Sequence, residues 1–463
     1  MFLGRNTELA ELNRLYGMDG FKFVVIYGRR RVGKTSLIAE FAKEKDNIFY
    51  ISIEQNDKAA LESFSAKVLE RFPAAASMIN SFPSWDKAFS YITEQAGSTR
   101  LVLAIDEYPY LATGCPSISS ILQKHIDTGF GASNLFLILC GSSMSFMENQ
   151  VLGYKSPLYG RRSAQFRIEP FDYYDAALFF PNVSYEDKML VYAVCGGIPQ
   201  YLGALAEYEN VTDGINECFL KKSGVLYEEP ENLLKQELRE PAVYNTLIAS
   251  IARGASRLNE ISTKSGEENK KCSKYLKSLL DLHIVRKEQP YATKSERNAI
   301  YVLRDNMFRF WYRFIPQNVT NIESGLGRQV FENRILPNLS AYVGHIFEDA
   351  CREYMRRKNG TDVLPFMFNG IGRWWGTNPK TKSQEEIDMI ADAENNALFA
   401  ECKWSSSPIG LDVFGELERK SLMFERYSNK TYFLFSKSGF KADMEKYAAE
   451  NNVILTALPA LYS

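Results

Sequence analysis

The segment FKFVVIYGRRRVGKTSL (residues 21–37) decides the fold of this chain. Its first part, FKFVVIYG (21–28), is rich in β-branched and aromatic residues and ends at a glycine, which predicts a buried strand that enters a loop. GRRRVGKT (28–35) matches the pattern G-x-x-x-x-G-K-[ST] in full, and residues 34–44 read as a helix. A strand, a glycine-rich loop and a helix in this order predict a phosphate-binding loop.

Each residue of this loop has a chemical reason to be there. Gly28 and Gly33 let the backbone curl so that several N–H groups point at phosphate oxygens. The helix that follows adds its positive N-terminal end. Lys34 is expected to reach the β- and γ-phosphates of ATP, Thr35 to give its hydroxyl to Mg²⁺, and the next residue, Ser36, to complete the ATP-binding set.

An acid pair follows a second apolar strand, LVLAID (101–106). Such a strand delivers Asp106 to the carboxyl edge of the sheet, where ligands of α/β proteins bind. We expect Asp106 to hold Mg²⁺ through water, and Glu107 to orient or deprotonate the attacking water. The alternative is two exposed acids that start a turn before Pro109.

Strands alternate with helices through the first third of the chain, which predicts an α/β fold with a parallel sheet covered on both faces. Residues 47–53 and 134–142 are further strands, and residues 6–16, 57–71 and 85–95 are helices. From about residue 172 to 235, including 172–180, helical segments dominate. Later, residues 342–357 are predicted to be helical, and strands are expected at 386–392, 398–404 and 431–437.

Bulk properties exclude several classes of protein. The net charge is −1, so no global basic field attracts nucleic acid. Seven cysteines lack C-x-x-C spacing, which argues against a zinc ribbon or disulfide framework and favours a reducing, cytoplasmic location. Only three histidines are present, so a metal site would rely on carboxylates. No signal peptide or membrane-spanning stretch is predicted.

The sequence resembles the AAA+/STAND-related group known as archaeal ATPases. The resemblance covers residues 1–240 and rests on FLGRNTELAEL, YGRRRVGKTSL, AIDEYPYL, CGSS, SPLYGRR and CGGIPQYL, in that order. It implies that Phe2 and Arg5 lie near the adenine and that Ser142 is the sensor residue, where AAA+ motors commonly have asparagine. It also implies that Arg161 or Arg162 meets the γ-phosphate, in cis or across a subunit interface.

Residues 241–303 resemble a winged helix, with three helices followed by a hairpin whose strands are joined by a polar turn. The third helix carries Lys270, Lys271, Lys274 and Lys277, which could neutralise DNA phosphates. A solvated lysine face, or a protein-docking role, is the alternative.

Four residues of the last part resemble the PD-(D/E)XK nuclease pattern. Glu348 lies on a helix, Asp388 on one strand, and Glu401 and Lys403 on the next. This resemblance implies that Asp388 and Glu401 bind Mg²⁺ while Glu348 assists and Lys403 steadies the attacking water. Because Glu401 and Lys403 are two residues apart, they share one face of a strand. A surface strand with an ion pair is the alternative.

These observations predict four domains: a P-loop ATPase core (1–170), a helical lid (171–238), a winged helix (239–315) and a restriction-endonuclease-like α/β domain (316–463). The expected function is an ATP-hydrolysing switch coupled to a nuclease-like domain that acts on DNA. A regulatory ATPase that binds DNA or protein without cutting is the alternative. The expected cofactors are ATP and Mg²⁺, and the partners beyond ATP are DNA, a protein or further copies of the chain.

Overall fold

The computed structural model describes residues 2–97, 99–293 and 298–463. The chain divides into two compact units, Met1–Pro170 and Phe171–Ser463.

A five-stranded parallel sheet forms the centre of the first unit. Its spatial order is β2-β3-β4-β1-β5. Every residue of β3 and β4 is buried, as expected of a parallel sheet with helices on both faces. The strands are β1 (Lys22–Tyr27), β2 (Asn47–Ile51), β3 (Leu101–Asp106), β4 (Leu135–Gly141) and β5 (Ala164–Arg167).

The helices of the first unit begin largely where local signals place them. Asn56 and Ser84 each accept a hydrogen bond from a backbone N–H of the first turn, and so cap α3 and α5. The helices are α1 (Asn6–Tyr16), α2 (Lys34–Ala42), α3 (Asp57–Arg71), α4 (Pro73–Ala76), α5 (Trp85–Gln95), α6 (Tyr108–Gly114), α7 (Ile118–Thr128) and α8 (Met144–Phe146).

The second unit begins with a mainly helical region. The helices are α9 (Tyr173–Ala176), α10 (Tyr185–Cys195), α11 (Pro199–Ala206), α12 (Val211–Phe219), α13 (Glu229–Glu237), α14 (Pro241–Ala252), α15 (Leu258–Ser265), α16 (Asn269–Asp281), α17 (Asn306–Phe314), α18 (Val319–Glu323), α19 (Gly327–Val330), α20 (Leu336–Lys358), α21 (Leu411–Ser421) and α22 (Ala442–Glu450).

Two of these helices differ from the sequence prediction. The helix expected over 172–180 ends at Ala176, and a single tighter turn, Ala177–Phe179, follows it. Helix α20 begins at Leu336 rather than at 342, because Pro337 stands in the first turn, where a proline costs no internal hydrogen bond.

A two-stranded antiparallel hairpin follows α16. Its strands are β6 (Val285–Glu288) and β7 (Ile300–Leu303). The polar turn expected between them falls partly outside the described residues, which omit 294–297. Helices α14, α15 and α16 precede the hairpin, as the sequence pattern predicts.

A mixed five-stranded sheet lies at the end of the chain, in the order β12-β11-β10-β9-β8. β10, β11 and β12 are parallel, whereas β8 and β9 run antiparallel to their neighbours. The strands are β8 (Gly370–Thr377), β9 (Gln384–Ala393), β10 (Asn396–Lys403), β11 (Asn429–Ser436) and β12 (Val453–Ala457).

Strand β8 has no counterpart in the sequence prediction, because glycines weaken its strand pattern. In the tertiary structure, two of these glycines leave room for a neighbouring side chain. A Cβ on Gly370 would lie 2.7 Å from the hydroxyl of Tyr291, and a Cβ on Gly372 would lie 2.9 Å from the same ring. The bare backbone of β8 therefore lets Tyr291 pack directly against it.

In the part of the chain that the structure describes, no helix is long and apolar enough to cross a membrane. All seven cysteines are buried free thiols.

Candidate functional site

The loop between β1 and α2 wraps around the amine of Lys34. Lys34 is only 5% exposed, and its Nζ donates to the carbonyl oxygens of Gly28 and Arg29, both at 3.0 Å. Gly33 has φ +89°, a conformation that favours glycine. At Gly28 a Cβ would lie 2.3 Å from the carbonyl oxygen of Ile168, so no side chain fits there. The loop thus holds a buried cation at the start of a helix.

Thr35 and Asp106 join the loop to the end of β3. The Thr35 hydroxyl donates to Oδ2 of Asp106 at 2.6 Å, and Oδ1 of Asp106 accepts from the backbone N–H of Glu107 at 2.9 Å. Asp106 is 1% exposed. A hydroxyl and a carboxylate are oxygen donors of the kind that Mg²⁺ prefers, so this pair fits the expected ion. Ser36, the next residue of α2, is exposed.

Glu107 is held by Ser142. β4 lies between β1 and β3, so the residue after β4 reaches the edge that carries both the loop and the acids. Oγ of Ser142 donates to Oε2 of Glu107 at 2.9 Å. Glu107 itself has φ +51°, an unusual conformation for a residue with a side chain. The serine fixes where this strained glutamate points.

Arg5 connects the beginning of the chain to the phosphate loop through hydrogen bonds. Its guanidinium donates to the carbonyl oxygens of Val32 at 3.1 Å and Glu169 at 2.5 Å. Phe2 is partly buried. These contacts place Arg5 beside the loop, and its expected position near an adenine stays a prediction.

Arg161 and Arg162 differ sharply in their surroundings. Arg161 makes a two-pronged ion pair with Asp127, with both N···O distances 2.8 Å. This hydrogen bonding lowers the pKa of Asp127. Arg162 is partly exposed and has no ion pair with any residue that the structure describes. The sequence treats the two arginines alike, whereas their contacts in the structure differ.

A second group of charged side chains lies on the mixed sheet. Nζ of Lys403 lies 2.6 Å from Oε1 of Glu401, on β10, and Oδ2 of Asp388, on the adjacent β9, accepts from the backbone N–H of Cys402 at 2.8 Å. Burial, followed by the nearby Glu401 and Glu348, raises the pKa of Asp388 to about 7. Asp388, Glu401 and Lys403 are therefore brought together.

Glu348 is less closely integrated. On α20 it lies near enough to influence Asp388, and its Oε1 is 3.5 Å from Nδ1 of His345. The oxygen donors suit a hard cation in their chemistry. However, across residues 2–97, 99–293 and 298–463, no three His, Cys, Asp or Glu side chains are arranged to hold a metal ion.

Sequence reasoning missed two neighbours of these acids. Nζ of Lys420, on α21, lies 3.9 Å from Oε2 of Glu401. A guanidinium N–H of Arg352, on α20, donates to the carbonyl oxygen of Asp388 at 3.1 Å. Neither residue has a local signal, because each meets the acids only through packing of distant segments.

Comparison with known proteins adds family and fold. Residues 2–205 match a family described as an ATPase domain predominantly from Archaea, and residues 311–422 match archaeal and bacterial proteins of unknown function. The Methanocaldococcus jannaschii protein MJECL04 is 32% identical over 413 residues, covering 87% of this chain and 88% of that one. The ATP-binding protein MJ0423 of the same organism is 44% identical over 45 residues, which cover 10% of this chain and 76% of that one.

Among solved structures, the Walker-type ATPase PABY2304 of Pyrococcus abyssi superposes with a TM-score of 0.51 at 19% identity, covering 67% of this chain and 96% of that one. This similarity shows a shared P-loop ATPase fold. The chain belongs to the same family as MJECL04, and its residues 2–205 match the family of ATPase domains predominantly from Archaea.

Proposed function

We propose that this protein is an ATP-hydrolysing switch whose C-terminal region acts on DNA as a nuclease-like effector. The observation that carries the ATPase part is the chain of contacts from Thr35 through Asp106 and Glu107 to Ser142. It brings a hydroxyl, two carboxylates and a second hydroxyl to the carboxyl edge of the parallel sheet, beside the phosphate loop.

The roles follow from these positions. Lys34 exchanges its two carbonyl partners for the β- and γ-phosphates of ATP. Thr35 and Asp106 would hold Mg²⁺, which would neutralise phosphate charge. Glu107, fixed by Ser142, orients the attacking water and accepts its proton. Arg162, rather than the paired Arg161, stabilises charge on the γ-phosphate, within the chain or across a homo-oligomer.

Within the second unit, Phe171–Ser463, the proposal assigns a helical lid (171–238), a winged helix (239–315) and a nuclease-like domain (316–463). Helix α16 buries Cys272 and Leu279 and exposes Lys274 and Lys277, so one face packs while the other can meet DNA phosphates or an acidic protein.

The nuclease-like role rests on Asp388, Glu401 and Lys403. Burial raises the pKa of Asp388, and repulsion from the neighbouring Glu401 carboxylate adds to this effect. A divalent ion would relieve that repulsion and would polarise a phosphodiester there. Lys403, on the same face of β10 as Glu401, would steady the attacking water or the developing phosphate charge.

A regulatory ATPase that binds DNA or protein without cutting is the second candidate. Two observations favour it. Glu401 is already neutralised by Lys403 and approached by Lys420, and in the described part of the chain no three acids form a metal cluster.

A nuclease assay separates the two candidates. The intact protein is incubated with linear and supercoiled DNA in Mg²⁺ or Mn²⁺, and compared with Glu401→Ala and with Glu418→Ala, a control at an exposed position on α21. Cleavage by the wild type and the control, but not by Glu401→Ala, supports the nuclease. If the DNA stays intact with both metals, the result supports the regulator that does not cut DNA.

A further inference from the structure

Three adjoining cavities in the second unit are lined by arginine. Their volumes are about 320, 240 and 440 Å³. The first two share Ala252 and Arg313, and the last two share Arg286 and Arg373, so neighbouring cavities lie side by side. We call them the arginine cleft, defined by Arg286, Arg309, Arg313, Arg352, Arg356 and Arg373.

Positive charge is in excess along the arginine cleft. Asp349 pairs with Arg286 at 2.7 Å and with Arg352, and lies 3.5 Å from Arg309. Burial would raise the pKa of Asp349, but these arginines hold it well below its usual range. Asp349 thus serves three guanidinium groups. Glu288 also pairs with Arg286 at 2.5 Å and Glu386 with Arg373, but the described residues that line the three cavities still include more arginines than acids.

A second carboxylate of the cleft carries less charge than its type implies. Glu353 lines the largest cavity, and burial raises its pKa to about 7. Near neutral pH a substantial share of Glu353 is therefore protonated, which leaves the positive field of the cleft stronger than a count of side chains indicates.

Two arginines at the rim are available to a ligand. Arg313 and Arg356 are exposed, and neither has an ion pair with a residue in the described ranges. Desolvation, together with the nearby Arg352, lowers the pKa of Arg356. An anion bound between Arg352 and Arg356 would relieve the repulsion between their guanidinium groups.

The chemistry of the lining suits an oxyanion such as phosphate. The described residues that line the three cavities include many arginines but no lysine. Guanidinium groups grip phosphate oxygens with two parallel hydrogen bonds, which ammonium groups cannot do. Trp375 also lines the largest cavity and offers a flat surface beside Arg373, whose guanidinium lies 5.7 Å from its ring.

The arginine cleft leads to the carboxylates of the mixed sheet. Glu348 and His345 form part of the wall of the middle cavity, and Arg352 donates to the carbonyl oxygen of Asp388. We propose that the arginine cleft binds the phosphodiester backbone of a nucleic-acid strand and guides it to Asp388 and Glu401. This inference rests on the DNA-directed function proposed above and specifies where the strand lies.

Salt-dependent binding tests the proposal. Full-length Arg313→Ala/Arg356→Ala is compared with the wild type and with Lys222→Ala/Arg328→Ala, which removes the same charge at exposed positions outside the arginine cleft. Fluorescence anisotropy is measured with a labelled DNA duplex and its single strand over a series of salt concentrations. We expect binding about tenfold weaker or more, and a salt slope lower by about two, only in the cleft variant.

The outcomes separate this inference from the proposed nuclease. Wild-type affinity and salt slope in the cleft variant would overturn the arginine cleft, and so would failure of both DNA probes to bind the wild type. Displacement of DNA by polyglutamate at equal charge would overturn it in favour of an acidic protein partner. If the cleft variant binds DNA more weakly but the wild type never cuts DNA, the result would support DNA binding by the arginine cleft and contradict the nuclease activity.

Discussion

Replacement of Glu107 by glutamine tests the proposed hydrolysis step most directly. Glutamine has nearly the same shape and keeps a carbonyl oxygen that can accept from Ser142, which lies 2.9 Å from the glutamate in the native protein. The positive φ of +51° burdens both side chains alike. The substitution therefore removes the base and leaves the loop, Lys34 and the Thr35–Asp106 contact in place.

The magnitude follows from the role. A positioned general base contributes about 10²- to 10⁴-fold to the rate, which corresponds to about 3–5 kcal/mol of activation free energy. We expect Glu107→Gln to slow phosphate release by that factor and to bind ATP within about threefold of the wild type, a change below 1 kcal/mol.

Two measurements on each protein give the answer. Single-turnover phosphate release reports the chemical step, and equilibrium titration with a fluorescent ATP analogue reports binding. Glu44→Gln, an exposed glutamate of the same unit, is the matched control and should behave as the wild type. Full turnover in Glu107→Gln would refute the role of base, and a large loss of affinity would instead identify Glu107 as a ligand of the nucleotide.

Three further predictions concern other residues. Lys34→Ala should abolish tight ATP binding and leave the circular dichroism spectrum unchanged, and near-normal affinity would contradict the phosphate-loop assignment. Arg162→Ala should slow single-turnover hydrolysis by about 10³-fold, whereas Arg161→Ala should mainly lose an exposed ion pair worth about 0–1 kcal/mol of unfolding free energy; the opposite ranking would move the role to Arg161. Asp349→Asn should lower the free energy of unfolding in urea by about 3–5 kcal/mol at pH 7, since it leaves the buried Arg352 without its carboxylate partner. The folded-state pKa of Asp349 is depressed, so this stabilisation is present above the unfolded pKa of about 3.9 and is lost as the pH falls below it. The difference in unfolding free energy between Asp349→Asn and the wild type should therefore shrink below that pH. The exposed control Asp362→Asn should show no such pH dependence.

The phosphate loop shows what local sequence can establish. Gly28, Gly33, Lys34 and Thr35 lie within eight consecutive residues, so their spacing alone fixes how the backbone turns and where the helix begins. The strands β1, β3 and β4 were predictable for a similar reason. A strand buried on both faces must be a continuous apolar run, and such runs are visible in the sequence.

Contacts between distant segments were decided only by the tertiary structure. The sequence offered Ser142 through a family resemblance, but its hydrogen bond to Glu107 depends on β4 lying beside β3. Two adjacent arginines looked equivalent, and the partner of Arg161, Asp127, is provided by a helix elsewhere in the chain. A pairing of this kind leaves no spacing to detect.

The second unit shows most clearly which contacts the sequence predicts and which only the tertiary structure decides. Alternation along one strand predicted that Glu401 and Lys403 share a face, because the side chains of a strand alternate with a period of two. No periodicity in the sequence predicts that Lys420 lies near Glu401. The same holds for the arginine cleft, whose residues come from separate helices and strands. The sequence by itself determined the phosphate loop, the strand ends and the alternation of the acidic strand, since each depends on neighbours along the backbone. The packing of remote segments decided which charges meet, because that depends on how the apolar faces of those segments bury one another.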